Sequence, residues 1–103
     1  MILDITGTIA AMNNNVGVVG VTPGTVQLYI VRVFGRGLPS YTSDTIDAAN
    51  RCASAGANII SMSFVSNSSS TTVQAKFDEL NAQGILSIAA AGNHGDTSFS
   101  YPA

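Results

Sequence analysis

The chain has one cysteine, Cys52, and no tryptophan. A single thiol rules out an internal disulfide and any metal site built from cysteines. Cys52 is read instead as a small apolar side chain on a helix. Cations are scarce too: Arg32, Arg36, Arg51 and Lys76 are the full set. They are scattered and form no basic patch, so no nucleic acid partner is expected. Only 10% of the residues are charged and 46% are apolar, yet no run approaches the ~18 apolar residues of a membrane helix. No membrane partner is expected. The opening Met1-Ile2-Leu3-Asp4 lacks both a basic n-region and a sustained apolar h-region. A soluble chain with no export signal of its own is therefore expected, and its compartment is left unknown.

What is present reads as interior. With 103 residues, many of them apolar, and a net charge of −2, the chain is one domain at most, with the composition of a sheet buried on both faces. Val26–Phe34 is β-branched and aromatic and predicts a strand. After a loop at residues 35–40, Ser43 stands at an N-cap position, with Asp44 and Asp47 favouring the first turn of a helix. Ile46, Ala49 and Ala53 recur at helical spacing, and Gly56 closes the segment. Ile59–Phe64 predicts a second strand. Thr71-Thr72-Val73-Gln74 has the form of a capping box. Val73, Phe77 and Leu80 then share one face of a helix that Gly84 ends, and Ile85–Ala91 predicts a third strand. This alternation places the chain in the α/β class, with a parallel sheet of at least three strands. In such sheets sites form beyond the carboxyl ends of the strands. That rule singles out Phe34-Gly35-Arg36, Phe64-Val65-Ser66 and Gly92-Asn93-His94.

The first twenty-five residues differ in kind. Residues 5–12 carry small side chains suited to close helix packing, Asn13-Asn14-Asn15 is a turn cluster, and residues 16–21 are apolar with two glycines.

Four stretches together carry a resemblance: GTIAAMNNNVGVVGVTPG, VQLYIVRVFG, GANIISMSF and ILSIAAAGNHG followed by SYPA. In order and over nearly the whole chain, they resemble the middle of a subtilisin-like serine protease, from the helix of the catalytic histidine to the oxyanion asparagine. The resemblance implies a partial domain over 1–103, a fragment of a three-layer, doubly wound subtilisin-like fold. It also implies serine endopeptidase chemistry on peptide or protein substrates. By position, Asn93 is the side-chain donor to the oxyanion; read without the resemblance, it is a residue that tolerates a turn after Gly92. Ser63, Phe64 and Val65 match a substrate-binding segment that is usually Ser-Leu-Gly, so Val65 puts a branched side chain where glycine is common. Leu38-Pro39-Ser40 matches a second such segment, in which Pro39 has no N–H to donate.

The same resemblance implies that the triad aspartate and serine lie outside these residues and that Met1 occupies the position of the catalytic histidine. His94, the only histidine, reads as an exposed loop residue, since neighbours in a turn point apart and cannot form a relay with Asp96 and Ser98. A family calcium loop would take the carbonyls of Met12, Val16 and Val18 and the side chain of Asn14. Calcium wants ~6–8 oxygens, so the loop alone reads as a polar turn and no cofactor is required. The expectation is a chain that is inactive alone. Two alternatives stand beside it: a non-catalytic binding or assembly module, and one piece of a longer or multi-chain protease. Bare sheet edges with a single charge, Arg32, predict self-association or a complementing chain. The family is often secreted.

Overall fold

The computed structural model describes residues 2–35 and 41–103. They fall into two compact units, Met1–Ile30 and Val31–Ala103.

The first unit is a helix, α1 (Ile2–Ala10), with its C-terminal carbonyls capped by the loop that follows. A helix leaves its last carbonyls without intrahelical partners. Here the chain returns to satisfy them. Gly20 N–H donates to Ala11 O at 2.9 Å, Val21 N–H to Thr8 O at 2.9 Å, and Thr22 N–H to Ile9 O at 2.8 Å. Thr22 Oγ1 adds a second bond to Ile9 O at 2.8 Å. The approach is so close that a Cβ on Gly20 would sit 2.5 Å from Ala11 N and 2.7 Å from Ala10 N, so only glycine fits. Between helix and cap, Asn15 takes a positive φ of 65°, and the turn leaves Val16, Val18 and Val21 exposed.

The second unit runs α2 (Thr42–Ser54), β1 (Ile59–Met62), α3 (Thr71–Ala82), β2 (Leu86–Ala89). Both helix starts fall outside the positions read from sequence. The N-cap of α2 is Tyr41 rather than Ser43. Asp44, three residues on, accepts from Tyr41 N–H at 2.7 Å, so a carboxylate inside the first turn does the capping. The N-cap of α3 is Ser70, whose hydroxyl accepts from Val73 N–H at 3.4 Å; the box at Thr71 starts one residue late. Both helix ends are as expected and use one device. Gly56 donates to Ala53 O and Ala57 to Cys52 O, at 3.0 and 3.1 Å. Gly84 donates to Asn81 O and Ile85 to Leu80 O, at 2.9 and 3.0 Å. These are paired Schellman bonds, with each glycine at φ +82°.

β1 and β2 pair in parallel, with Ile59 opposite Leu86 and Met62 opposite Ala89, and α3 is the crossover between them. The α/β class holds. The sheet, however, has two strands rather than three. Val26–Phe34 forms no strand, because β-branched residues favour extended backbone but a ladder needs a partner, and among the described residues none pairs with it. Phe34 instead meets Phe64 edge-on, with ring centroids 5.2 Å apart at 81°.

One face of the sheet is covered. Ala49 of α2, Leu80 of α3, Ile60, Met62 and Ile85 form the core, with Cys52, Ala53, Phe64, Phe77 and Ala89 packed against it. Burial holds the Cys52 thiol above its ordinary pKa, in keeping with a core side chain. The other face carries Ile59, Leu86 and Ile88, exposed at 59%, 52% and 49%. The unit is therefore two layers among the described residues, a sheet with helices on one side.

Candidate functional site

Beyond the carboxyl ends of β1 and β2 the chain opens a cavity of about 280 Å³. One wall is Ser63, Phe64 and Val65, leaving β1; the other is Ala90, Gly92, Asn93 and His94, leaving β2. The walls stand together because the parallel ladder continues past the strands: Ala90 N–H donates to Met62 O at 3.0 Å. A second tie closes the β1 side. Ser66 and Tyr101 form an antiparallel bridge, with Ser66 N–H to Tyr101 O at 2.7 Å and the return bond at 3.0 Å.

The turn that presents Asn93 depends on Gly92. Its φ is +86°, and a Cβ there would lie 2.9 Å from Ser100 Oγ and 3.8 Å from His94 Cδ2. The small residues at the end of β2 thus let the chain turn tightly under the segment returning toward Tyr101. Asn93 is exposed on the cavity wall, and among the described residues no side chain engages its amide. An unengaged amide N–H beside an extended segment can donate to an oxygen that gains charge in a reaction. Asp96 accepts Ser98 N–H through Oδ1 at 3.0 Å, a local turn rather than a relay with His94.

A family model described as the Subtilase family matches residues 3–103. The chain belongs to the subtilase family. Subtilisin BL of Lederbergia lenta is 36% identical over 99 residues, covering 96% of this chain and 36% of that protein. Alkaline elastase YaB of Bacillus sp. (strain YaB) is 37% identical, covering 96% of this chain and 26% of that protein. The crystal structure of the psychrophilic subtilisin-like protease Apa1 from the Antarctic psychrotroph Pseudoalteromonas sp. AS-11 matches with a TM-score of 0.86 and 44% identity. It covers 96% of this chain and 23% of that one. The chain thus spans about a third or less of the length of these subtilases.

Of the residues read from sequence, the fold brings Ser63, Phe64, Val65 and Asn93 onto one cavity. Met12, Asn14, Val16 and Val18 belong to the first unit, on an exposed stretch. There Asn14 Oδ1 accepts Val16 N–H at 3.2 Å, closing the turn on itself. Three carbonyls and one amide oxygen fall short of the ~6–8 oxygens of calcium, and the described residues hold no cluster of three or more His, Cys, Asp or Glu. The segment alone does not fit the ion. Met1 and Leu38-Pro39-Ser40 lie outside the described residues. His94 is exposed, as read, but it also lines the cavity, and its position directly after Asn93 at a strand end was the available signal. Tyr101 gave none, because an isolated bridge has no periodicity.

Proposed function

We propose that this segment supplies the oxyanion donor and one substrate-binding wall of a subtilisin-like serine endopeptidase. The nucleophile, the base and its orienting carboxylate come from residues beyond these 103. The observation that carries the reading is the free amide of Asn93 on the same cavity as Ser63–Val65. In this reading a peptide lies extended along Ser63-Phe64-Val65 as an added strand, with one side chain in the cavity. When serine attacks the scissile carbonyl, negative charge builds on its oxygen, and the Asn93 N–H donates to it most strongly at that moment. No step passes through calcium. In the assembled domain Val26–Phe34 takes up a third parallel strand, and the bare face of Ile59, Leu86 and Ile88 receives a further layer.

Alone, the chain hydrolyses nothing. It should take no label from a serine-directed fluorophosphonate, and stoichiometric labelling would refute this. Mixed with a segment carrying the rest of a subtilase, it should gain activity that Asn93→Ala lowers. The expected loss, about 10²–10³ in rate, is the one known from removing this donor in a subtilisin. Reconstituted activity indifferent to Asn93 would overturn the assignment. A second reading, a self-associating assembly module, is favoured by the exposed apolar sheet face. Sedimentation across a concentration series tests it; a monomer throughout would remove it.

A further inference from the structure

We draw no further inference here: the strongest candidate, the bare apolar face of the two-stranded sheet at Ile59, Leu86 and Ile88, carries nothing because nothing in the structure shows what covers it.

Discussion

Replacing Gly92 by alanine should damage both the fold and the cavity, and the structure separates the two causes. The backbone at Gly92 has φ +86°, where a Cβ crowds the following carbonyl at a cost of about 1–2 kcal/mol. The same Cβ would lie 2.9 Å from Ser100 Oγ, inside normal contact. Ser100 relieves this by leaving its rotamer, at about 0.5–1.5 kcal/mol. The sum is about 1.5–3.5 kcal/mol, because the two costs fall on different torsions. For a unit of this size each kcal/mol lowers Tm by roughly 4–8 °C, so the variant should melt about 6–28 °C below the parent. Thermal denaturation of four proteins makes the cycle: parent, Gly92→Ala, Ser100→Gly and the double variant. Ser100→Gly should recover only the contact share, leaving the backbone share of about 1–2 kcal/mol. A Gly92→Ala chain as stable as the parent would refute the reasoning, and so would full rescue by Ser100→Gly, which would mean that the positive φ costs nothing.

Two of the glycines of the first unit, Gly7 and Gly20, should respond in opposite directions. Gly7 lies inside α1 with open space around it, so Gly7→Ala should stabilise by about 0.5–1 kcal/mol in denaturant unfolding. Gly20→Ala would press on the backbone of Ile9, Ala10 and Ala11 and should release the cap, seen as faster hydrogen exchange at Gly20, Val21 and Thr22; unchanged exchange would contradict the close approach. The hydrogen bond from Lys76, at 2.6 Å, and then its charge hold the Glu79 carboxyl below its usual pKa. A folded pKa below the unfolded one stabilises above the unfolded pKa, and that contribution is lost as pH falls through the folded value. Glu79→Gln should therefore flatten the acid limb of the stability–pH curve slightly and leave the alkaline limb unchanged.

Much of the second unit was written locally, and so was legible. Gly56 and Gly84 marked the helix ends because only glycine takes their positive φ without strain. Val73, Phe77 and Leu80 marked a buried helix face because 3.6 residues per turn puts them on one side. The motif context made Asn93 a candidate donor, and the family is shown by residues spread along nearly the whole chain. Helix starts were less legible. Serine and threonine crowd residues 68–72, and a hydroxyl caps only if its own residue's backbone is extended, as at Ser70 with φ −138° and ψ 114°, whereas Thr71 is already helical.

Other features depend on which segments meet. Val26–Phe34 has the composition of a strand and forms none here, because a strand is completed by a partner's N–H and C=O groups and composition does not name the partner. The cavity exists because Ala90 bonds to Met62 and Tyr101 bonds to Ser66, contacts between residues 28 and 35 positions apart. Those bonds turned His94 from a loop residue into part of a wall. Local rules specify conformations of a few residues. The position of one wall relative to another is set by long-range pairing, and that pairing decided which side chains share the site.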